Sequence, residues 1–402
     1  METVVSVLLV ISAALVAVPV TIFFVEVIAA IILPRRHATP RIGANYDLSQ
    51  RVAVLVPAHN ESTGLLPTLA AIKQQLRAAD SMLVVADNCT DDTAAVASAG
   101  GADVVERHDP ARRGKGYALD FGLQHLSSAP PEIVVMIDAD CGLADYAINE
   151  LVKTCVATGR PVQALYLMMA PAESQINHKV AEFAWRVKNW LRPLGLRALG
   201  LPCQLMGTGM AFPWDVIRRA DLASTSVVED LRLGLDLTSK GHPPAFCPSA
   251  GVISQFASSA KAARTQRERW EGGHISMILT TFPRLFCKAI AHRDWNLLAL
   301  TLDLAVPPLS LLAILVIGMF VVTASYAILG FSSLALTMSA ATLMAFVLAA
   351  FLAWQKCGRD LVPVSAVLSI ALYIFGKLGL YRVKLLNKTD AQWIRTDRTK
   401  SE

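Results

Sequence analysis

Apolar residues are concentrated at the two ends of the chain. Residues 4–33 are almost continuously apolar, and Glu26 is the exception. Three further apolar stretches lie toward the C-terminus, at 298–328, 333–354 and 361–383. A helix needs about 20 apolar residues to cross a bilayer. We therefore predict an N-terminal transmembrane helix within 1–34 and a C-terminal transmembrane region of two or three spans within 298–385.

The middle of the chain alternates short apolar runs with segments of helical spacing. Four runs predict buried strands, at 52–56 (ending at Pro57), 82–86, 104–105 and 133–137. Apolar positions at helical spacing predict helices at 62–75 and 93–99. Strand–helix alternation with continuously apolar strands is typical of an α/β sheet, mostly parallel, with helices on both faces. We assign this domain to residues 49–281.

Basic residues beside the apolar segments indicate the orientation. Arg35 and Arg36 follow the first span, which favours an outside N-terminus and a cytoplasmic domain. A cleavable signal peptide would carry its basic residues in front. The basic tail, 386–402, favours the inside, whereas three full spans would leave it outside. Either one stretch does not span, or the charge rule fails here.

Residues 282–297 join the domain to the C-terminal spans and mix aromatic, apolar and basic side chains. This pattern predicts an interfacial membrane segment. The alternative interpretation is an ordinary surface helix of the domain.

Composition supports a protein that lies partly in lipid. The chain has 402 residues, of which 54% are hydrophobic and 17% charged, and its mean hydropathy is +0.46. Soluble domains carry about 25% charged residues. The net charge is +5, and much of the excess of Lys and Arg lies beside the apolar segments. We therefore expect membrane lipids as a partner, and not nucleic acid. The seven cysteines form no C-x-x-C pair, which fits reduced thiols in the cytosol.

Carboxylates follow several of the predicted strands. Asp87 follows 82–86, and Asp138 and Asp140 follow 133–137. In open α/β sheets, ligands bind beyond the carboxyl ends of the strands. Two carboxylates in a D-x-D arrangement suit a hard cation such as Mg²⁺ or Mn²⁺, which shares substrate phosphates as ligands. We assign Asp87 to nucleotide contact and the residues from Asn88 to Thr93 to a turn and helix cap.

Two other segments allow a functional and a structural interpretation. Asp230 is a candidate general base, although Glu229 and Asp230 could simply cap a helix N-terminus. Lys115 lies between two glycines and could offer one cation to a diphosphate, although the spacing is not that of a P-loop. The alternative for Lys115 is a solvated basic turn.

Gln266, Arg269 and Trp270 share one face if their segment is helical. This face offers an amide, a guanidinium suited to phosphate oxygens and an aromatic plate for a sugar ring. The alternative is an amphipathic surface helix near the membrane.

Together these residues resemble a known motif series. Asp87, Asp138-Ala139-Asp140, Glu229-Asp230 and Gln266-x-x-Arg269-Trp270 are similar to the D, D-x-D, [TE]-D and Q-x-x-R-W motifs of membrane-bound family 2 glycosyltransferases, such as cellulose, chitin and hyaluronan synthases. The resemblance covers about residues 50–280. It implies a GT-A fold, which is Rossmann-like, and inverting transfer from a UDP-sugar. Val228 departs from the pattern, because the family usually has Thr before the E-D pair.

The resemblance also implies a role for each motif residue. Glu61, Asp87 and Lys115 would lie at the nucleotide-sugar, Asp138 would contact it, and Gln266 and Arg269 would hold the diphosphate. Asp138 and Asp140 would bind Mn²⁺ or Mg²⁺, and Asp230 would be the catalytic base. The residues expected at the acceptor are Gly207, Thr208, Glu229 and Trp270.

The expected function is a hexosyl- or N-acetylhexosaminyltransferase of exopolysaccharide or cell-surface glycan biosynthesis in the bacterial inner membrane. At most four spans are present, so export of a long polymer would need partner subunits. This favours addition of one or a few β-linked sugars to a glycan or lipid-linked acceptor. The alternatives are a glycolipid synthase acting on diacylglycerol or ceramide, and a non-enzymatic nucleotide-sugar-sensing membrane assembly partner. The intact carboxylates argue against the second.

Overall fold

The computed structural model describes residues 2–33, 50–171, 174, 176–223, 228–257 and 260–366. These residues form two compact units. Those within Arg35–Met169 and Gly200–Gly273 form a sheet unit, and those within Met1–Pro34, Ala170–Leu199 and His274–Asp390 form a helical unit. The predicted domain at 49–281 thus contains a segment, Ala170–Leu199, that belongs to the helical unit.

The strands of the described part of the chain all belong to the sheet unit. They are β1 (Val52–Ala58), β2 (Ser81–Asp87), β3 (Asp103–Arg107), β4 (Ile133–Met136), β5 (Gly142–Leu143), β6 (Val162–Met169), β7 (Met210–Pro213) and β8 (Ala245–Gln255).

The helices occur in both units. They are α1 (Glu2–Ile32), α2 (Leu66–Lys73), α3 (Thr93–Ala99), α4 (Lys115–Leu126), α5 (Ala147–Thr158), α6 (Ile176–Arg186), α7 (Arg192–Leu199), α8 (Trp214–Ile217), α9 (Glu229–Ser239), α10 (Ala260–Thr280), α11 (Phe282–His292), α12 (Trp295–Leu304), α13 (Leu309–Ile328) and α14 (Leu334–Cys357). A π-helical segment, Val187–Leu191, joins α6 to α7.

The eight strands form one mixed sheet in the order β3-β2-β1-β4-β7-β6-β8-β5. Strand β1 is parallel to β2 and β4, β2 is parallel to β3, and β6 is parallel to β8. The pairs β4–β7, β6–β7 and β5–β8 are antiparallel. The predicted mixed, mostly parallel α/β sheet is therefore confirmed.

The centre of the sheet is buried on both faces. Alternate residues of β1 point to opposite faces, and Val54 and Leu55 are both completely buried. Leu55 belongs to an apolar cluster with Leu119 of α4 and Met136 of β4. Burying each such side chain stabilises the fold by about 1.5–3 kcal/mol. The continuous apolar runs in the sequence follow from this two-sided burial.

Pro57 does not end β1, contrary to the sequence prediction. The strand continues to Ala58, and Pro57 pairs with Val85 of β2. Pairing with β4 ends earlier, at Leu55 and Met136. Proline is tolerated here because its missing N–H lies beyond the last paired residue on the β4 side.

Among the described residues, three helices of the helical unit are long and apolar enough to cross a membrane, namely α1, α13 and α14. The apolar stretch predicted at 298–328 is divided into α12 and α13, and Pro307 and Pro308 lie in the break. Within the predicted interfacial segment, α11 spans Phe282–His292. Most of the last predicted stretch, 361–383, and the whole basic tail lie outside the described residues.

A buried ion cluster joins three helices of the helical unit. Arg192 of α7 donates from Nε to Glu26 Oε2 of α1 at 2.6 Å, and from Nη2 to Asp303 Oδ1 of α12 at 2.5 Å. All three side chains are buried. Close packing of α1 on α7 requires glycine at Gly195, since a Cβ there would lie 1.9 Å from the Glu26 carbonyl oxygen. Glu26, the exception in the first apolar run, thus faces a cation and not lipid.

Candidate active site

Two of the predicted carboxylates lie at the same edge of the sheet. Asp87 is the last residue of β2, and Asp138 lies two positions beyond Met136, where β4 ends. Strand β1 is parallel to both β2 and β4, so the carboxyl ends of these strands lie at one edge. This is where α/β sheets bind their ligands.

Asp87 is held by two donors on one carboxylate oxygen. Arg107 Nη1 donates to Asp87 Oδ1 at 2.6 Å, and Asn88 Nδ2 donates to the same oxygen at 3.0 Å. Arg107 also donates to the Arg112 carbonyl at 2.9 Å and to Asp109 Oδ2 at 3.2 Å. Asp87 and Arg107 are both buried. Asn88, which the sequence assigned to a structural turn, therefore lies within the Asp87 site.

The loop that carries Glu61 is tied to the start of α3. The backbone N–H groups of Glu61 and Ser62 both donate to Thr93 Oγ1 at 2.9 Å. Asn60 Oδ1 accepts from the backbone N–H of Thr90 at 2.7 Å. In a loop, side-chain hydrogen bonds of this type satisfy backbone groups that would otherwise bond within a helix or a sheet. They hold Glu61 directly after β1, beside the carboxyl end of β2.

The D-x-D segment is fixed from two sides. The Asp138 backbone N–H donates to Thr208 Oγ1 at 3.0 Å, and Thr68 Oγ1 of α2 donates to the Ala139 carbonyl at 2.9 Å. Ligand atoms of Asp138, Asp140 and Cys141 all lie within 4.8 Å of one another. Thr208, expected near the acceptor, thus contacts the expected metal site directly.

Lys115 begins α4 and lies among acidic side chains. Its Nζ pairs with Asp138 Oδ1 and donates to the Gly207 carbonyl at 2.8 Å. Desolvation lowers the pKa of Lys115, but the negative charges of Asp138, Glu229 and Asp230 outweigh it and raise the pKa above its usual value. The solvated basic turn considered for this lysine is therefore wrong.

Gly207 lies directly beside Asp230. Its φ is +93°, a conformation that favours glycine. A Cβ at Gly207 would lie 3.5 Å from Asp230 Oδ2 and 3.7 Å from Lys115 Nζ. The predicted base, the predicted phosphate cation and the predicted acceptor loop therefore meet at one point.

Glu229 and Asp230 open α9, as predicted. Asp230 Oδ1 accepts from the backbone N–H of Leu231 at 2.9 Å, so this carboxylate also serves the helix N-terminus. Burial, and next the negative charge of Asp230, raises the pKa of Glu229 to about 8. The raised pKa favours the protonated form of Glu229 near neutral pH.

The Q-x-x-R-W segment lies on helix α10, so its three side chains share a face as predicted. Gln266 is buried, and Arg269 and Trp270 are half-buried. Burial lowers the pKa of Arg269, and the nearby charge of Glu229 opposes this shift. A Cβ at Gly273 would lie 2.8 Å from Val228 Cγ1, so α10 packs against the residue before Glu229.

Comparison with known proteins identifies the family. A family model described as glycosyltransferase like family 2 matches residues 50–273, more than half of the chain. The chain belongs to this glycosyltransferase family. The matched range includes every motif from Glu61 to Trp270, so the resemblance stated from the motif series is confirmed.

Relatives of this glycosyltransferase occur in bacteria and archaea. An uncharacterized glycosyltransferase of Mycobacterium bovis is 33% identical over 188 residues, which is 41% of this chain and 82% of that protein. A low-salt glycan biosynthesis hexosyltransferase of Haloferax volcanii is 31% identical over 114 residues, 28% of this chain and 25% of that protein.

A solved structure shows the same fold. A mannosyltransferase from Pyrobaculum calidifontis, in complex with GDP-Man and Mn²⁺, has a TM-score of 0.54 at 18% identity. The match covers 97% of this chain and 100% of that chain. The GT-A fold implied by the motif series is therefore confirmed.

The donor set of the D-x-D segment fits a hard divalent cation. Cys141 offers a soft thiol, whereas hard divalent cations such as Mg²⁺ prefer oxygen ligands. Asp138 and Asp140 remain as two carboxylates. This is the number that Mg²⁺ commonly takes from protein, with phosphates and water completing its shell.

Three supporting residues were not singled out from the sequence: Thr68, Arg107 and Gln163. Gln163 is completely buried in β6. Its Oε1 accepts from the Met206 N–H at 2.7 Å, and its Nε2 donates to the Thr208 carbonyl at 2.9 Å. In the sequence, Gln163 could have been noticed as an amide side chain within the apolar run 162–169. Buried polar groups need partners, and here the partners lie on the loop that carries Gly207.

Proposed function

We propose that this family 2 enzyme is an inverting β-glycosyltransferase. It transfers a sugar from a UDP-sugar, with Mn²⁺ or Mg²⁺, to a glycan or lipid-linked acceptor of cell-surface glycan or exopolysaccharide biosynthesis. The observation that supports this most directly is the convergence of Lys115, Asp138, Gly207 and Asp230. A cation, a metal-type carboxylate, an acceptor-side loop and a base candidate meet there.

The donor would lie across the carboxyl ends of β1, β2 and β4. Asp87 and Glu61 would face the nucleoside, Asp138 would face the nucleotide-sugar, and Lys115 and Arg269 offer cations for the diphosphate. Gln266 adds an amide beside Arg269. A divalent cation on Asp138 and Asp140 would neutralise charge on the departing diphosphate.

The reaction needs one base. The acceptor hydroxyl oxygen attacks the anomeric carbon, the bond from that carbon to the diphosphate oxygen breaks, and Asp230 accepts the hydroxyl proton. A single displacement inverts the anomeric configuration. Burial raises the pKa of Glu229, and in its protonated form Glu229 can donate a hydrogen bond to the acceptor. Trp270 offers an apolar plate for the sugar ring of the acceptor.

The membrane assignment rests on the three apolar helices and on Arg35 and Arg36, which follow α1 in the sequence. We place the protein in the bacterial inner membrane with its catalytic domain in the cytoplasm. Export of a long product would require partner subunits.

Radiolabelled UDP-sugars supplied to membranes that contain the protein test this function. Label should enter a lipid extract, an oligosaccharide or a polymer in the presence of Mn²⁺, and the product fraction identifies the acceptor class. Asp140→Asn and Asp230→Asn should each lower transfer by at least about 100-fold. The exposed Asp215→Asn is the matched control and should retain transfer.

Full transfer by both variants would remove the assigned roles. Nucleotide-sugar binding without transfer to any acceptor fraction would favour the non-enzymatic sensing alternative.

A further inference from the structure

The Asp87 carboxylate has one saturated oxygen and one open oxygen. A carboxylate oxygen accepts about two hydrogen bonds, one for each lone pair. Oδ1 takes one from Arg107 at 2.6 Å and one from Asn88 at 3.0 Å. Among the described residues, none donates to Oδ2. A nucleobase at Asp87 would therefore find a single acceptor oxygen.

Arg107 cannot easily turn away from Oδ1. Its Nη1 also donates to the Arg112 carbonyl, its Nη2 donates to Asp109, and its guanidinium lies 5.5 Å from the ring centre of Tyr117. Arg107 is 8% exposed. If Arg107 moved away from Asp87 Oδ1, this buried cation would lose its other contacts as well. Oδ1 therefore stays saturated in the folded protein.

Asn88 adds one oriented donor beside the open oxygen. Its Oδ1 accepts from the Asp109 backbone N–H at 2.8 Å, which fixes which end of the amide is the donor. One hydrogen of Nδ2 goes to Asp87 Oδ1. The other has no acceptor among the described residues. The hydrogen-bonding edge that the protein offers to a nucleobase therefore consists of one acceptor, Asp87 Oδ2, next to one donor, Asn88 Nδ2.

We propose that Arg107 and Asn88 set the base specificity of the donor site, so that it selects a pyrimidine with an N–H between two carbonyl groups. Uracil and thymine carry this edge. Guanine presents an N–H next to an amino group and needs two acceptors, one of which Arg107 and Asn88 have removed. Cytosine and adenine present a ring nitrogen lone pair to the carboxylate, which is repulsive. This inference rests on the proposed function.

A ligand series tests the edge without altering the protein. The purified full-length chain in detergent, with Mn²⁺, is titrated with UDP, dTDP, GDP and CDP, and with UDP methylated at N3. UDP or dTDP should bind at least about tenfold more tightly than GDP and CDP, because a site left with an unpaired polar group loses about this much. Methylation at N3 removes the base N–H and should cost UDP a similar factor. Comparing UDP with dTDP distinguishes the two bases that share this edge.

Two variants test the residues that create the edge. Arg107→Leu returns one lone pair of Asp87 Oδ1 to the ligand, so the preference for UDP over GDP should fall by about tenfold. Asn88→Ala removes the oriented donor and also returns a lone pair, so UDP should weaken and the preference should fall. The matched control is Arg218→Leu, which removes an exposed arginine paired with Asp215 and should leave the preference unchanged.

The outcomes separate this inference from the proposed function. Equal or tighter binding of GDP by the wild-type chain overturns the inference and the choice of UDP as donor nucleotide, but leaves glycosyl transfer from a nucleotide-sugar standing. N3-methyl-UDP that binds like UDP also overturns it, and this result does not depend on how the variants fold. Absence of binding by every nucleoside diphosphate removes both the inference and the proposed function.

Discussion

Lys115 Nζ donates a 2.8 Å hydrogen bond to the Gly207 carbonyl, while the same ammonium pairs with Asp138. One side chain at the start of α4 thus joins the D-x-D segment to the loop expected at the acceptor. Any ligand that changes the charge around Asp138 acts on Lys115, and through it on Gly207. The D-x-D segment and the loop at Gly207 are therefore electrostatically coupled through one cation.

Lys115→Met should move two affinities in opposite directions. Nucleotide-sugar binding should weaken by at least about tenfold, because the diphosphate loses a charged donor. Binding of Mn²⁺ without nucleotide should strengthen by roughly fivefold, because Asp138 loses a competing cation. Titration of free Mn²⁺ by electron paramagnetic resonance, together with nucleotide binding, measures both.

Lys240→Met is the control for this experiment. Lys240 follows the last residue of α9 and pairs with Asp236 of that helix at 2.7 Å, and both side chains are exposed. Its loss should change neither affinity. If Lys115→Met weakened both Mn²⁺ and nucleotide binding, Lys115 would be a structural residue and not a counter-cation.

Much of the sheet unit was predictable because its signals are local. The apolar run at 82–86 and the following Asp87 are β2 and its last residue, and Thr93 begins α3 as its position after a polar turn indicated. The D-x-D pair was predictable because a carboxylate directly after a buried strand has few structural reasons to be there. Short-range patterns of burial and turn chemistry carried these predictions.

The partners of these residues were not predictable because they depend on pairing between distant segments. Arg107 lies opposite Asp87 in the register of β2 and β3, and that register exists only in the folded sheet. The assignment of Ala170–Leu199 to the helical unit is another case. Helical periodicity shows that a segment folds as a helix, but not which unit it packs with.

Gln163→Leu should weaken the fold and the acceptor side of the reaction. It removes the acceptor of the Met206 N–H and the donor to the Thr208 carbonyl, both in a buried position. We expect the free energy of unfolding to fall by about 1–3 kcal/mol. Since the loop at Gly207 loses its support, the acceptor KM should rise more than the donor KM in steady-state kinetics.

Gln124→Leu is the matched change at an exposed position of α4, where the side chain donates to Asp120. It should leave both KM values and the unfolding free energy near wild type. An equal rise of the donor and acceptor KM values in Gln163→Leu would contradict a specific role for this loop support.

Glu229 should make stability depend on pH. Its pKa is about 8 in the folded chain against 4.5 ordinarily, so between these values the folded state holds a proton that the unfolded state has lost. Stability from this group is complete below about pH 4.5 and is lost as pH rises toward 8, with a slope of at most about 1.4 kcal/mol per pH unit. Denaturant unfolding of the metal-free protein from pH 5 to 8 measures this slope. Glu229→Gln should flatten the curve, whereas the exposed Glu132→Gln should not.

The buried cluster of Glu26, Arg192 and Asp303 should respond unequally to loss of its members. Arg192→Leu leaves two buried carboxylates without their cation, which typically costs about 3–5 kcal/mol. Glu26→Gln should cost less, because Arg192 keeps Asp303 and the amide oxygen can still accept a hydrogen bond. Thermal unfolding in detergent should therefore rank Arg192→Leu below Glu26→Gln, and Glu26→Gln below the exposed control Arg284→Leu. If Arg192→Leu unfolded at the temperature of the control, the cluster would contribute nothing to holding α1, α7 and α12 together.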